Sequence, residues 1–442
     1  MSRRILPTLG LAGLLACGGA EAPVRPNLLL VTLDTLRADR TSAYGYARDT
    51  TPRLRRLAEQ GTRFAAAWAP APITAPTHAT LFTGLHPPGH GLVRNGLVLG
   101  DEHATLAETL AAAGYRTGAI VSSFAVTAKF GFGQGFADYQ QDFDPAGSSI
   151  VWPEWQGHRV EEGFDRTARP TTDRALAWLA SARKDEPFFL WVHYFDPHAP
   201  YVAPRRFRRF GTTPSDLYDA EVLYTDFHLA RLLNALATRA ADTLVVVVGD
   251  HGEGLLDHGY MEHDFQLYEE ALRVPWILRM PGRVAAGHVV AEPTSLVDLL
   301  PTVLDLLGVG APEGVQGTSR AAALTGDGAS EDAPQPLFAQ RPRFEPTTID
   351  GFAVEGDGFA VREGRFKLID LPDEERRELY DLEADPGERR DLSAERPETV
   401  ERLARRIDDW RRTMGRQSSS EGAGTTVAPE DRERLRAMGY AE

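Results

Sequence analysis

The chain has 442 residues, of which 42% are hydrophobic and 25% charged. That balance is globular and excludes wholesale disorder or a collagen-like repeat; the length allows one large domain with an appendage, or two to three ordinary ones. Lys+Arg 48 against Asp+Glu 63 gives a formal charge of −15, which argues against a nucleic-acid partner but not against a small anionic substrate, because a bound cation reverses the charge locally.

The chain opens with a positive pair, Arg3 and Arg4, and an apolar run from Ile5 to Ala16. About a dozen residues are too few to span a bilayer, which takes roughly 20, but they fit a secretory core. The run ends Leu14-Leu15-Ala16-Cys17, similar to a bacterial lipoprotein cleavage box. Residues 1–16 are therefore expected to be a lipoprotein signal peptide, Cys17 the lipidated first residue of the mature chain, and 17–26 a tether. The protein would be exported and lipid-anchored to the cell envelope, periplasmic or outer face, meeting the membrane through that anchor only. A plain cleaved signal, or a short anchor helix with Cys17 incidental, is the alternative. Cys17 is the sole cysteine, so there is no intrachain disulfide and no Cys-based zinc site.

The body alternates strand and helix signals. Asn27–Leu33, Gly118–Val121, Phe188–His193 and Thr243–Val248 are continuous apolar runs, the pattern of strands buried on both faces. Between them, Thr51-Pro52 opens a helix. Thr105–Ala113 and Asp173–Ala182 are two more, the latter with Leu176 and Leu179 facing inward. The pattern predicts an α/β three-layer sandwich with a mostly parallel sheet over 27–310. Composition shifts to Gly, Pro, Ala and Ser over 310–336, a long loop. Residues 311–416 are expected to form a smaller antiparallel subdomain, with short strands Gly351–Val354, Gly358–Arg362 and Arg365–Ile369 and a charged helix at about 397–415. A linker and a short helix, Pro429–Met438, fill 417–442.

Polar groups gather at strand ends. Asp34 follows the first strand, and Asp250-His251-Gly252-Glu253 follows the valine strand. Ligands of parallel sheets bind beyond the carboxyl ends of strands, and two carboxylates beside an imidazole suit a divalent metal. Thr74, in Thr74-Ala75-Pro76-Thr77-His78, stands where Pro76 opens a helix. It is either a helix cap or a hydroxyl at an anion-favouring terminus.

These segments resemble the sulfatase family of the alkaline-phosphatase-like superfamily. Thr74, Pro76, Leu81, Thr83 and Gly84 fall on the family signature. Leu33-Asp34-Thr35-Leu36-Arg37-Ala38-Asp39, Gly249–Glu253, Tyr268-Glu269-Glu270 with Arg273-Val274-Pro275, and Glu378–Leu382 with Asp385-Pro386 follow in order. The resemblance spans 26–392. It implies a metal held by Asp34, Thr74, Asp250 and His251: one or two ions of Ca, Zn, Mn or Mg. Three departures stand out. Thr74 occupies the formylglycine position, His78, a substrate-binding candidate, replaces an Arg that touches the nucleophile and metal, and Asp34-Thr35 replaces an Asp pair. A Thr nucleophile resembles the superfamily's phosphodiesterases, phosphonoacetate hydrolases and envelope transferases, whose metals lower the hydroxyl's pKa. In the phosphodiesterase pattern Asn95 matches a donor to a phosphoryl oxygen. His198 matches a substrate-site His, and His263 a substrate-binding Lys. Either His is a candidate acid for the leaving oxygen, or Asp196, His198 and His263 hold a second metal; His193 lies in the same cluster.

The leading expectation is a metal-dependent hydrolase of sulfate or phosphate esters, with Thr74 as nucleophile and a physical preference for phosphoesters. Its substrate would be a small-molecule, glycan or lipid ester. The competing readings are a sulfuric ester hydrolase proper, an envelope phosphoryl-group transferase, and a degenerate binding protein.

Overall fold

The computed structural model describes residues 25–143, 154–155, 158–159, 164–326 and 335–417. The expected signal peptide, Cys17, most of the tether, the linker after 417 and the helix Pro429–Met438 lie outside the described residues. Among the described residues, no helix is long and apolar enough to cross a membrane.

Asn27–Leu33 (β1) sits in an eight-stranded sheet with Thr62–Phe64 (β2), Arg116–Ile120 (β3), Asp138–Gln140 (β4), Phe188–Tyr194 (β5), Thr243–Gly249 (β6), Trp276–Arg279 (β7) and His288–Val290 (β8). The order is β8-β2-β7-β6-β1-β5-β3-β4. β1 runs parallel to β5 and β6, with Leu33 level with Tyr194 on one side and Gly249 on the other. β7 runs antiparallel to both β6 and β2.

Every residue of β1, β5 and β6 is buried. Leu28 and Leu30 join one core with Val246, Val248 and Trp191. Leu29, Val31 and Leu33 join another with Val245, Val247 and Leu190 on the opposite face. Two buried faces explain why these strands read as unbroken apolar runs, each such side chain contributing ~1.5–3 kcal/mol. Pro52–Glu59 (α1), Ala168–Ser181 (α4) and Pro214–Ala235 (α5) cover one face through Leu54, Trp178 and Leu229. Thr74–Thr83 (α2), Leu106–Ala112 (α3) and Leu299–Leu307 (α6) cover the other through Leu81, Leu110 and Leu304. A capping box between Thr105 and Glu108 sets the start of α3. The result is the expected three-layer α/β sandwich.

Two local expectations are corrected. Helix α4 begins at Ala168, and it turns Ala175 and Trp178 inward, with Leu179 packed at the edge of that core and Leu176 half-buried outside it. The indole decides the face: it fills the space left by Gly118 on β3, where an added Cβ would stand 2.3 Å from Trp178 Cε2. In the C-terminal part, Leu337–Ile349 (β9), Phe352–Glu363 (β10), Phe366–Leu371 (β11) and Arg376–Asp381 (β12) form one antiparallel sheet. The two short strands expected at 351–354 and 358–362 are one strand, because β10 continues through Gly356 and Gly358 opposite an irregular β9 whose register slips between Arg341 and Thr347. Pro342 and Pro346 hide β9 in the sequence, since proline demotes a strand pattern. Pro397–Gln417 (α7) lays Leu403, Ile407 and Trp410 on Phe359, Val361 and Leu368.

A buried ion cluster fastens this sheet to the main domain. Lys367 of β11, fully buried, places Nζ 2.8 Å from Glu388 Oε1 and 3.4 Å from Glu269 Oε1, above the Trp68 ring. Burial pushes the Glu388 carboxyl up to about 7 against the pull of Lys367. Removing the lysine strands the Glu388 carboxylate, while Glu269 keeps Trp68 Nε1 at 2.8 Å and Arg362 at 3.8 Å, at a cost of about 3–5 kcal/mol. Lys367→Met is therefore expected to lose roughly that much in urea unfolding. Because Glu388 binds its proton more tightly when folded, the loss should grow from about pH 6 to about pH 8. A pH-independent loss below about 1 kcal/mol would remove the cluster from this role.

Candidate active site

The parallel register brings three strand ends together. Asp34 follows β1, Asp250 and His251 follow β6, and His193 is the penultimate residue of β5, level with Thr32. Asp34, Asp250 and His251 are fully buried. Ligand atoms of Asp34, Asp250 and His251 all lie within 4.8 Å of one another, and so do those of His78, His193 and Asp250. Neither oxygen of Asp34 accepts a hydrogen bond, nor does Oδ2 of Asp250. Buried carboxylate oxygens left so are costly. Burial raises the Asp34 carboxyl; burial and then the charge of Asp34 raise Asp250. This donor set fits a divalent cation.

The backbone is shaped around these oxygens. Thr35 takes φ 53°, and its N–H donates to Asp250 Oδ1 at 3.2 Å; the His251 N–H donates to the same oxygen at 2.7 Å. A β-branched residue in the left-handed region costs about 1–3 kcal/mol and marks a functional constraint. Glycines bracket the pair. A Cβ at 249 would meet the Leu36 carbonyl at 2.8 Å, and one at 252 the Glu270 carbonyl at 1.8 Å. Buried Arg37 holds the two loops together, donating to the carbonyls of Glu253 and Gly254 and to Asp257 Oδ2 at 2.6 Å.

Thr74 is the first residue of α2 and is fully buried. Its Oγ1 lies 3.2 Å from His251 Nε2. The His251 Nδ1 faces the Gly252 carbonyl at 3.0 Å, so it carries the proton and leaves Nε2 a lone pair toward Thr74 and Asp34. The terminus of α2 adds positive potential there. Asn95 Oδ1 accepts from the Ala75 N–H at 2.9 Å, which turns its Nδ2 to a buried position with no acceptor. That is a donor ready for an anionic oxygen.

The histidines divide by environment. His198 Nδ1 faces the Ala199 carbonyl at 2.7 Å, its ring stacks on Phe195, and burial pulls it down to about 4. It is neutral. His263 Nδ1 lies 3.2 Å from Glu253 Oε1 and Nε2 lies 3.4 Å from Asp264 Oδ1. Burial opposes its charge, but Asp264 and Glu253 outweigh burial and push it up to about 10. The rings of His263 and His251 are 4.5 Å apart. Glu253 and Asp264 thus favour the charged ring beside the carboxylate pair.

Of the expected site residues, Asp196 is placed elsewhere, and His78 is held by the scaffold at the edge of the site. Asp196 Oδ2 accepts from the Ala168 N–H at 2.6 Å, capping α4, and pairs with Glu221. Its carboxylate is committed to that helix, and the structure does not bring it together with His198 and His263 as a second metal set. His78 lies within α2: Nδ1 is 2.8 Å from the Thr74 carbonyl and Nε2 is 3.0 Å from Thr32 Oγ1. Both nitrogens are engaged, so His78 supports the backbone of Thr74, and it does so 3.6 Å from Asp250 Oδ2, inside the second candidate metal group. Conversely, His193 is a better ligand candidate than its sequence context indicated, with Nε2 3.5 Å from Asp34 Oδ2. Glu253 was also overlooked as the partner of His263; its place three residues past Asp250 was the available signal.

Comparison with known proteins bears on the family and the fold. The sulfatase family model matches residues 26–309, and the C-terminal model of N-sulphoglucosamine sulphohydrolase matches 256–413. The chain is 25% identical to the Delta 4,5-hexuronate-2-O-sulfatase of Bacteroides thetaiotaomicron, over 86% of this chain and 87% of that protein. It is 24% identical to the N-acetylglucosamine-6-O-sulfatase of the same organism, over 88% of this chain and 86% of that one. The phosphonate monoester hydrolase of Agrobacterium radiobacter shares the fold, with a TM-score of 0.73 and 21% identity over 88% of this chain and 96% of that chain.

The orphaned oxygens make a test of the metal set. Added divalent metal is expected to raise the unfolding free energy by about 2.7 kcal/mol at a concentration 100-fold above its Kd. Asp250→Ala should lose both bound metal and this stabilisation while remaining folded. Equal metal content in that variant and the parent would refute the assignment.

Proposed function

The chain belongs to the sulfatase family and is a sulfuric or phosphoric ester hydrolase. From that premise we propose that it is metal-dependent, that Thr74 is its nucleophile, and that it prefers phosphate esters. The observation that carries the reading is the Thr74 hydroxyl, 3.2 Å from His251 Nε2 at the edge of the Asp34–Asp250–His251 set. A divalent ion held by Asp34, Asp250 and His251 would supply a lowered hydroxyl pKa and polarise the ester.

The chain's own groups do the rest. Asn95 Nδ2 donates to an anionic ester oxygen as charge builds there. His263, kept cationic by Glu253 and Asp264, takes the place of the family's Lys and gives its proton to the leaving oxygen. The bond to that oxygen breaks as Thr74 Oγ, its proton lost to solvent, joins the phosphorus or sulfur; water then attacks that centre, one of its protons returns to the Thr74 oxygen as the acid leaves, and His263 regains its proton from solvent. Formylglycine lets sulfate leave by C–O cleavage from an aldehyde hydrate. Threonine has no such route and depends on water attacking the central atom, which favours phosphorus. Sulfuric ester hydrolysis proper is the second reading, supported by relatives named as sulfatases. The substrate class we favour is an ester of a glycan or small molecule, met at the cell envelope, where a lipid on Cys17 would hold the enzyme.

Thr74→Ala should lower turnover by about three orders of magnitude or more while substrate still binds. Intact mass of the parent should show an unmodified threonine, and a lipid on Cys17. Aryl sulfate, phosphate monoester, phosphodiester and phosphonate substrates rank the preference. Efficient aryl sulfate hydrolysis with little phosphoesterase activity would overturn it and leave the plain sulfatase reading.

A further inference from the structure

At the opposite end of the sheet from the active site lies a cavity of about 280 Å³ between α1, the end of α5 and the first residues of β6. Three guanidiniums line it, from Arg53, Arg56 and Arg279, with the amides of Gln60 and Asn234. Among the described residues no carboxylate lines it, and none of the three arginines makes an ion pair; Arg279 donates to the Ala240 carbonyl. Arg53 and Arg56 are exposed. The floor is apolar, with Leu57 and Leu236 buried beneath the charges. In a chain of net charge −15, an all-cationic cavity runs against the average field and calls for a ligand of opposite sign. The ligand must be anionic at one end and apolar at the other.

Position identifies which anion. Val245 of the cavity precedes Asp250 by five residues on β6, roughly 16 Å at about 3.3 Å per strand residue, so the cavity is no part of the ester site. The chain enters the sheet at this same end: Asn27 pairs with Thr243, two residues before Val245. Cys17 lies eight residues before Arg25, a span of at most about 28 Å. A lipid on Cys17 would hold this end toward the bilayer and the ester site away from it.

We propose that the cavity receives the phosphodiester headgroup of an anionic phospholipid. Its orientation argument rests on the reading of Cys17 given above; the cavity's chemistry does not. Arginines placed at a membrane surface gain from anionic headgroups in this way.

The test uses the full chain in a nonionic detergent, titrated by calorimetry with dihexanoyl phosphatidylglycerol. Dihexanoyl phosphatidylcholine and inorganic phosphate are the comparison ligands. Saturable binding of the glycerol lipid, at least about tenfold tighter than either comparison ligand, is expected. Arg56→Glu with Arg279→Glu should weaken it at least about tenfold, with ester hydrolysis unchanged as the check on folding. Phosphatidylcholine binding equally well, phosphate alone binding as tightly, or an unaffected double variant would each overturn the proposal. Failure here leaves the lipid on Cys17 to be decided separately by intact mass.

Discussion

The constraint on which the rest of the structure depends is the burial of two carboxylates, Asp34 and Asp250, at neighbouring strand ends with three of their four oxygens accepting no hydrogen bond. Two like charges so placed repel each other and lack solvent. The surroundings are arranged to keep them there. Thr35 adopts a left-handed backbone to serve Asp250. Gly249 and Gly252 allow carbonyls to pass where no side chain fits. Arg37 pins one loop to the other. Each device has a local cost, and each is accounted for by a cation that the carboxylates would share.

The same constraint organises the second layer of charge. His263 is cationic only because Glu253 and Asp264 flank it, and Glu253 is itself fixed by the Tyr201 hydroxyl at 3.1 Å. His78, in the position of the signature's Arg, has become part of the scaffold. A hydrogen-bonded line runs from Trp191 through Thr32 and His78 to the Thr74 carbonyl. The backbone of Thr74 is thereby tied to β1 and β5.

Much of this was legible in the sequence, and for physical reasons. Strands buried on both faces leave continuous apolar runs, so β1, β5 and β6 stood out, and the polar residues after them named Asp34, Asp250 and His251. Thr74 followed from the signature it shares with the sulfatase family, since its proline-marked helix start alone also fitted a cap. What stayed hidden were relations set by tertiary packing. Nothing near Asp196 in the sequence reveals that α4 begins where its carboxylate can cap it. The engagement of both His78 nitrogens depends on Thr32, 46 residues away. The inward face of α4 was misread because a glycine on the adjacent strand, not hydrophobicity alone, makes room for Trp178. β9 escaped notice because its prolines and charges sit on an irregular strand.

The most direct measurement is a chemical quench during turnover of a slow substrate, followed by peptide mass analysis across residues 65–94. The account predicts one phosphoryl or sulfuryl group on Thr74, formed in a burst and absent after metal chelation. Turnover with a clear burst and the adduct on a different residue, or full activity with no adduct in Thr74→Ser and Thr74→Ala alike, would contradict it.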